Sequence, residues 1–357
     1  MPCAPRVALW IGRSIVIVVM FEERTAAVQV ARTRRIAVTA LTHYPITVAR
    51  LRLLNHGFNT IFRVDTADGR TFALRVNVNS QRSGANLAAE MAWLAALSNH
   101  TQVNVPTPQP NIAGALITWI WMDDLQRNLP VALFSWLPGA DLGNTDRATP
   151  TQLRAVGRAA AVLHQHAANW VMPSDAELPV IDSALMDCPN HLDTDHELLS
   201  PDRRIVLDAA LAEVDSRYRE LFHGAVPRPL HADLHLGNLK WHRGQLSVFD
   251  FDDSGMGLPM QDLAIAAYYL RPAAHLEVAM LEGYNEIAPL PTYSVAQYEA
   301  IVASRNLVLL NDMVVTANAD FRALLPIYVP STIAKLRSYL ETGVFRHEVD
   351  GTFVRGW

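Results

Sequence analysis

The sequence predicts an α+β protein of two lobes, a small β-rich N-terminal lobe and a larger, mainly helical C-terminal lobe. Its 357 residues exceed the usual size of one compact domain, and 50% of them are hydrophobic, which allows a large core. Strand-like patterns dominate from Val48 to Val78, whereas helical spacing dominates from residue 151 onward. We therefore assign residues 20–130 to the N-terminal lobe and residues 131–357 to the C-terminal lobe.

Residues 1–19 are predicted to be an N-terminal extension. Arg6 is followed by an apolar stretch from Val7 to Met20, which resembles the apolar region of a signal peptide. Arg13 interrupts this stretch, and what remains is far shorter than the roughly 20 residues that cross a bilayer. We therefore expect no membrane anchor, and translation from Met20 is an alternative that mass spectrometry of the native N-terminus would test.

The N-terminal lobe is predicted to contain a β-hairpin. Two β-rich runs, Ile61–Asp65 and Thr71–Val78, flank Asp68-Gly69, a dipeptide that suits a turn with positive φ. Apolar residues at helical spacing predict helices on both sides, over Thr25–Tyr44 and Gly84–Leu97. A further strand is expected over 115–122, and the apolar stretch over 131–137 is expected to lead to the connection between the lobes.

The C-terminal lobe is predicted to be mainly helical. Its helical patterns cover residues 151–168, 202–222, 260–270, 274–287 and 294–318.

Charge and cysteine content exclude several classes of protein. The formal net charge of -5 gives no reason to expect a nucleic-acid partner, because phosphate neutralisation requires clustered Lys and Arg. Cys3 and Cys188 are far apart in sequence, so neither a disulfide framework nor a thiolate metal cluster is predicted. A chain without a disulfide framework suits a reducing compartment, so we expect a cytoplasmic protein.

The strongest chemical signal lies in His231-Ala-Asp233-Leu-His235-Leu-Gly-Asn238 and in the Asp250 that follows. A hairpin that turns at residues 242–245 would set position 238 opposite roughly 249, and so bring Asn238 close to Asp250. An amide carbonyl and a carboxylate are hard oxygen donors, which suit Mg²⁺ bound to nucleotide phosphates. Asp233, in the same loop, could accept the proton of an attacking hydroxyl.

This Asp-x4-Asn spacing followed by an Asp-containing turn resembles the aminoglycoside phosphotransferase and choline kinase superfamily, over about residues 25–345. The likeness is greatest to the bacterial branch of homoserine kinase type II and the stress-response kinase. The resemblance implies a protein-kinase-like fold that uses ATP and Mg²⁺. It implies that Asp233 is the catalytic base and that Asn238 and Asp250 bind the metal. Asp262 resembles the family Asp that opens the next helix, and a helix cap is the alternative.

In the N-terminal lobe, the segment from Leu54 to Thr60 is similar to the nucleotide loop of the family, which makes Asn55, Gly57 and Asn59 candidate nucleotide-binding residues. Strand alternation places Arg75 on the face opposite Leu74, away from the core of the lobe.

The family usually has Lys where this chain has Arg75. Arg keeps the positive charge, but it holds phosphate oxygens with a different geometry. Glu90, on the following helix, is the expected ion-pair partner of Arg75. The resemblance also implies that adenine binds the backbone at residues 134–137, and that the acidic stretch at 182–197 helps to receive a cationic acceptor or is a solvated loop.

These observations predict transfer of the γ-phosphoryl group of ATP to a hydroxyl of a small molecule, with homoserine or another amino alcohol as the leading acceptor. Two alternatives remain, a protein Ser/Thr kinase and a nucleotide-binding pseudokinase. The twelve positions from Asp250 to Asp262 leave no room for an activation segment, which disfavours the protein kinase. The sequence leaves the acceptor and the oligomeric state open.

Overall fold

The computed structural model describes residues 7–11, 14–18, 21, 24–78, 80, 82–316 and 319–349. Contacts within the chain divide it into two compact units. The first unit contains residues 1–82 and 107–136, and the second contains residues 83–106 and 137–357.

Among its described residues, the first unit consists of antiparallel strands and one α-helix. Its elements are β1 (Val7–Ile11), β2 (Ser14–Val18), α1 (Ala26–Leu41), β3 (Val48–His56), β4 (Thr60–Thr66), β5 (Thr71–Val76), β6 (Pro108–Gln109), β7 (Thr118–Met122) and β8 (Arg127–Ser135). The main sheet has the order β3-β4-β5-β8-β6, with β7 also paired to β8, and β1 and β2 form a separate pair. The predicted hairpin is confirmed as β4 and β5, which turn through Gly69 at φ +84°.

The core of the first unit lies on one face of β5. Phe72, Leu74 and Val76 point to this face, where they pack with buried residues of α1, and Leu74 and Val76 are fully buried. The predicted strand alternation is therefore confirmed, and it leaves Arg75 and Asn77 on the opposite face.

The second unit is mainly helical, as predicted. Its elements are α2 (Gly84–His100), β9 (Ala140–Asp141), α3 (Pro150–Asn169), α4 (Pro201–Phe222), β10 (Arg228–Leu230), β11 (Leu239–His242), β12 (Gln245–Val248), β13 (Gly255–Gly257), α5 (Pro259–Leu270), α6 (Ala274–Asn285), α7 (Val295–Val314) and α8 (Ala319–Thr342). The five helices predicted in this lobe correspond to α3, α4, α5, α6 and α7, and the bounds of each are confirmed to within a few residues. In the described part of the chain, no helix combines the length and the apolar character that crossing a bilayer demands.

Two glycines allow α3 and α6 to approach closely. A Cβ atom at Gly157 would lie 1.9 Å from the Met280 carbonyl oxygen, and one at Gly283 would lie 2.1 Å from the Arg154 carbonyl oxygen. Only the absence of a side chain at these positions permits this backbone contact.

The structure differs from the sequence-based expectations at three places. The expected lobe boundary between residues 130 and 131 falls inside β8, which continues to Ser135 before the chain enters the second unit. Helix α2, expected in the N-terminal lobe, belongs to the second unit. Helix α8 was not predicted, because Pro326 and Pro330 lie inside it and proline normally ends a helix.

Candidate active site

The loop from His231 to Asn238 connects β10 to β11, and Asp262 of α5 holds its beginning in place. One carboxylate oxygen of Asp262 accepts the His231 N–H at 3.1 Å, and the other accepts the Ala232 N–H at 2.7 Å. Ala232 has φ +63°, a left-handed conformation that is costly for a residue with a Cβ atom. Asp262 therefore stabilises a strained backbone immediately before Asp233.

Asp262 is fully buried and also accepts a hydrogen bond from His164 Nε2 at 2.9 Å. Burial alone would raise the pKa of Asp262, but the hydrogen bond and charge of His164 outweigh burial and lower it. The alternative in which Asp262 caps its own helix is wrong. Gln261 does this instead, because its Oε1 accepts the Leu258 N–H at 2.7 Å.

His231 braces the loop through both of its ring nitrogens. Its Nε2 donates to the Phe249 carbonyl at 3.0 Å, and its Nδ1 accepts the Asp233 N–H at 3.2 Å. Burial lowers the pKa of His231 in spite of the nearby Asp262 carboxylate, so the ring is neutral and its tautomer is set by these two contacts. Since both ring nitrogens are engaged, His231 is not available to a metal ion.

Asp233 lies at the centre of a polar cluster. Its Oδ1 accepts from Arg305 Nη2, and its Oδ2 accepts from Asn238 Nδ2 at 2.8 Å and lies 3.3 Å from His235 Nε2. Burial alone would raise the pKa of Asp233, but the Arg305 guanidinium and the His235 ring hold it well below its usual value. The carboxylate therefore stays ionised, and a hydroxyl group can donate a hydrogen bond to it.

Arg305 is the main residue of this cluster that the sequence did not predict. It projects from α7, is 7% exposed, and donates from Nε to the Tyr269 hydroxyl at 2.9 Å. It is 72 positions from Asp233 in sequence and lies in a largely apolar helix. A charged residue at a buried position of a largely apolar helix was the available signal, because such a charge requires a partner.

The two predicted metal ligands come from the ends of one hairpin. Strands β11 and β12 pair Leu239 with Val248, and the Phe249 N–H donates to the Asn238 carbonyl at 3.0 Å, which confirms the predicted register. Asn238 uses its amide Nδ2 on Asp233, so its Oδ1 is the atom that could bind a cation. Asp250 follows at the surface, with φ +65°.

This donor set fits a divalent cation that also binds phosphate oxygens. Asn238 and Asp250 contribute one amide oxygen and one carboxylate, both hard donors. Among the described residues, no group of three or more His, Cys, Asp or Glu side chains could hold a metal ion by itself. Two hard oxygen donors fit a divalent ion whose other ligands would be phosphate oxygens and water.

The predicted nucleotide-binding residues of the first unit lie at the turn between β3 and β4. Asn55 is near the end of β3, and the Gly57 N–H donates to the Asn59 carbonyl at 3.0 Å within the turn. A Cβ atom at Gly57 would meet only Asn55 Nδ2, at 3.9 Å, so the local backbone does not require glycine there. The roles of these three residues toward a nucleotide remain predictions.

Arg75 lies on the face of β5 opposite the core, as predicted. Its Nε donates to Asn77 Oδ1 at 3.0 Å, and its guanidinium lies over the Phe134 ring, 5.3 Å from the centroid. Glu90 is a buried residue of α2 in the second unit. The ion pair between Arg75 and Glu90 remains a prediction, as does adenine binding at residues 134–137.

The acidic stretch at 182–197 is a loop that is attached to the helices around it. The His191 N–H donates to Asn311 Oδ1 at 2.7 Å, and the Ala184 N–H donates to Asp215 Oδ1 at 2.7 Å. Met186 packs against the buried cluster that includes Ala232. The loop is therefore held against α7, α4 and the strand that leads to Asp233.

Relatives of known name are kinases. The amicoumacin kinase of Bacillus subtilis (strain 168) is 23% identical over 238 residues, a match that spans 64% of this chain and 66% of that protein. A microcompartment-associated aminopropanol kinase has a similar structure, with a TM-score of 0.74 at 26% identity, over 88% of this chain and 99% of that one. An amicoumacin kinase in complex with AMP-PNP, Ca²⁺ and Ami has a TM-score of 0.66 at 19% identity, over 87% of this chain and 96% of that one.

The structural neighbours confirm the predicted α+β, kinase-like fold class. The sequence profile described as "Phosphotransferase enzyme family" matches residues 50–296, which include the predicted nucleotide loop and the loop that carries Asp233 and Asn238. Because this match covers more than half of the chain, the protein belongs to the phosphotransferase enzyme family.

Proposed function

We propose that this protein transfers the γ-phosphoryl group of ATP to a hydroxyl group of a small molecule, with Mg²⁺ as the metal ion. The observation that carries the proposal is the convergence of Asp233, Asn238 and Asp250 at one loop and hairpin, in a chain that belongs to a phosphotransferase family. The likeness to an aminopropanol kinase supports an amino alcohol as the leading class of acceptor.

The proposed role of Asp233 is to orient the acceptor. Bound ATP would supply the γ-phosphoryl group, with Mg²⁺ neutralising the phosphate charge. The ionised Asp233 carboxylate would accept a hydrogen bond from the acceptor hydroxyl and direct its oxygen at the γ-phosphorus. As that oxygen bonds to phosphorus, the bond to the β–γ bridging oxygen breaks, ADP leaves, and the hydroxyl proton passes to Asp233.

The low pKa of Asp233 is compatible with this role. A carboxylate paired with Arg305 is a weak base, which would not deprotonate an alcohol before the reaction begins. Phosphoryl transfer proceeds through a loose transition state, in which the hydroxyl becomes acidic only as its bond to phosphorus forms. Positioning therefore contributes more than basicity, and Asn238 and Arg305 supply it by holding the carboxylate from two sides.

The proposal is tested by ADP release from ATP against a panel of amino alcohols, choline, aminoglycosides and protein acceptors, with and without Mg²⁺. We expect metal-dependent ADP release with a small hydroxyl compound, and loss of that release in Asp233→Asn. The variant should still bind ATP, because Asp233 is not a proposed nucleotide ligand. If the protein binds ATP but releases no ADP with any acceptor of the panel, the proposal is contradicted.

A further inference from the structure

An open cleft in the second unit is lined by residues that the proposed reaction does not use. Its volume is about 630 Å³, within the roughly 300–1,000 Å³ that is typical of sites for small molecules. The last turn of α3, the first residue of α5 and the segment that follows α6 all contribute to its walls. Pro289 and Pro291 give it apolar surface, and β10 contributes the side chain of Arg228.

Arg228 is the permanently charged side chain of the cleft, and no acidic side chain neutralises it. Among the described residues that line the cleft, none is Asp or Glu. In the part of the chain that the structure describes, the Arg228 guanidinium makes no hydrogen bond and no ion pair. Glu286, which follows α6, is engaged elsewhere, because it pairs with Arg158 at 2.6 Å and with Arg154 at 3.9 Å. The N–H groups of a partly buried guanidinium therefore remain for a ligand.

Neighbouring polar groups of the cleft are engaged with one another. The Tyr284 hydroxyl forms a hydrogen bond with His164 Nδ1 at 3.1 Å, and both side chains are buried. The Tyr284 carbonyl, at the end of α6, accepts the Ala288 N–H at 3.0 Å. The Ile287 carbonyl accepts a hydrogen bond from Gln165 Nε2 at 3.2 Å. This pairing leaves the guanidinium as the group that can hold a charged ligand.

The cleft adjoins the loop that begins at His231, but it is separate from the proposed active site. His164, which lines the cleft, donates from Nε2 to Asp262 at 2.9 Å. Asp262 in turn accepts the N–H groups of His231 and Ala232. Arg228 lies three residues before His231, at the start of β10. None of the residues proposed to bind ATP, the metal ion or the acceptor hydroxyl lines the cleft.

We propose that this cleft binds a small organic anion, whose carboxylate or phosphate group is held by Arg228. A guanidinium forms two parallel, charge-assisted hydrogen bonds with either group, and a neutral or cationic ligand lacks the negative charge that strengthens them. Pro289 and Pro291 provide an apolar surface for the rest of the molecule. The inference is independent of the proposed function, because binding in the cleft requires neither ATP nor a phosphoryl acceptor.

The test measures the binding of four compounds that are similar in size and differ in charge. Benzoate and phenyl phosphate are anions, benzyl alcohol is neutral, and benzylamine is a cation. Isothermal titration calorimetry is performed with the full chain as the wild type, as Arg228→Gln and as Arg228→Lys, which keeps the charge and loses the forked geometry. Ala168→Phe, at an exposed position of α3 in the cleft, tests the location of the ligand by filling the cleft.

Two further variants are the controls. Arg337→Gln removes a positive charge at an exposed position of α8 that does not line the cleft. Arg75→Gln removes the positive charge of the predicted nucleotide site, to which an anion could also bind. Thermal unfolding verifies that each variant folds.

We expect the wild type to bind one or both anions, one molecule per chain, and to bind the alcohol and the amine at least about tenfold more weakly. Arg228→Gln should weaken anion binding by about 10- to 100-fold, the value of one hydrogen bond to a charged group. Arg228→Lys should retain part of the affinity, and Ala168→Phe should abolish binding. Both control variants should have the affinity of the wild type. The ratio of the affinities for benzoate and phenyl phosphate identifies the preferred anionic group.

Three outcomes would overturn the inference. If the wild type binds neither anion, or binds the neutral compound equally well, the cleft is not an anion site. An unchanged affinity in Arg228→Gln would show that Arg228 does not hold the ligand. Loss of binding in Arg75→Gln, with Arg228→Gln unaffected, would place the anion in the predicted nucleotide site. Each of these outcomes leaves the proposed phosphoryl transfer standing, because the titrations contain neither ATP nor an acceptor.

Discussion

Arg305 determines the electrostatic state of Asp233. The two side chains form a buried ion pair, and Tyr269 binds the same guanidinium at Nε. Burial alone would lower the pKa of Arg305, but the charge of Asp233 raises it, so both partners stay ionised at neutral pH. A buried carboxylate without this partner would be protonated much more readily.

Replacement of Arg305 by Gln should therefore change the pH dependence of the reaction. With the cation removed, the pKa of Asp233 rises towards and above its usual value, because burial then acts unopposed. We expect the acid limb of the kcat/KM profile to move to higher pH, and the activity at neutral pH to fall by about 10- to 100-fold. For Arg305→Lys, which retains a positive charge, the acid limb and the activity should lie between those of the wild type and those of Arg305→Gln. An acid limb that stays in place in Arg305→Gln would exclude this role.

The residues of the site differ in how far the sequence could predict them. Asp233, Asn238 and Asp250 belong to one loop and one short hairpin, so local spacing and turn chemistry were sufficient to bring Asn238 near Asp250. Arg305 is connected to Asp233 only through the packing of α7, which no local pattern encodes. The function of Asp262 was also not predicted, because its acceptance of two backbone N–H groups depends on the contact of α5 with the loop.

At the scale of elements, the contact of α3 with α6 depends on glycine. We expect Gly157→Ala to lower the free energy of unfolding by about 1 to 3 kcal/mol or more. The new Cβ atom would overlap the Met280 carbonyl, and its cost exceeds the roughly 1 kcal/mol that Ala gains over Gly in a helix. Urea unfolding measures the change. Unaltered or increased stability would mean that the two helices can separate without loss.

Gly57→Ala is the matched change in the turn between β3 and β4. The free energy of unfolding should change by less than about 0.5 kcal/mol, since the nearest atom to the new Cβ would be 3.9 Å away. If this turn covers the phosphates of ATP, the added methyl group should raise KM for ATP by about tenfold, or about 1.4 kcal/mol. Steady-state kinetics with varied ATP concentration measures this KM. An unchanged KM would show that Gly57 does not contribute to nucleotide binding.

Element boundaries followed local sequence signals where those signals were unopposed. The hairpin of β4 and β5 and the helices α3 to α7 were predictable, because turn residues and apolar spacing agree there with the fold. Helix α8 was not, because Pro326 and Pro330 oppose it, while buried side chains such as Tyr328 and Val329 favour it. Tertiary packing prevailed over local propensity in this helix.

At the scale of the whole molecule, the end of the described chain is fastened to the second unit by buried polar groups. The Phe345 N–H donates to Glu299 Oε2 at 2.8 Å, and Arg271 donates to the Phe345 carbonyl at 3.2 Å. The His347 ring donates from Nε2 to the Tyr268 carbonyl. Burial, assisted by Lys335, lowers the pKa of His347 to about 4.

His347 should make stability depend on pH. Its pKa is lower in the folded state than in the unfolded state, so protons bind preferentially to the unfolded chain as the pH falls. The contribution is complete above about pH 6.5, declines towards pH 4, and amounts to about 3 kcal/mol. Urea unfolding of the wild type and of His347→Gln between pH 7 and pH 4 measures the difference. Parallel curves for the two proteins would show that His347 does not contribute.

The two-lobe architecture was predictable, but the boundary between the units was not. The strand-rich and helix-rich stretches of the sequence were sufficient to predict that the chain forms two units. The assignment of α2 to the second unit follows from tertiary contacts, such as the hydrogen bond from Asn86 Nδ2 to the Glu177 carbonyl at 3.0 Å, which span a long stretch of sequence. No pattern within α2 itself indicates where its partners lie.

The central claim, that Asp233 directs phosphoryl transfer to an acceptor hydroxyl, is tested most directly by ³¹P NMR of the product. ATP, Mg²⁺ and 1-amino-2-propanol are incubated with the wild type and with Asp233→Asn. We expect a phosphomonoester signal that grows in step with ADP for the wild type and is absent for the variant, which still binds ATP. Inorganic phosphate in place of the phosphomonoester, or a phosphomonoester formed equally by Asp233→Asn, would contradict the account.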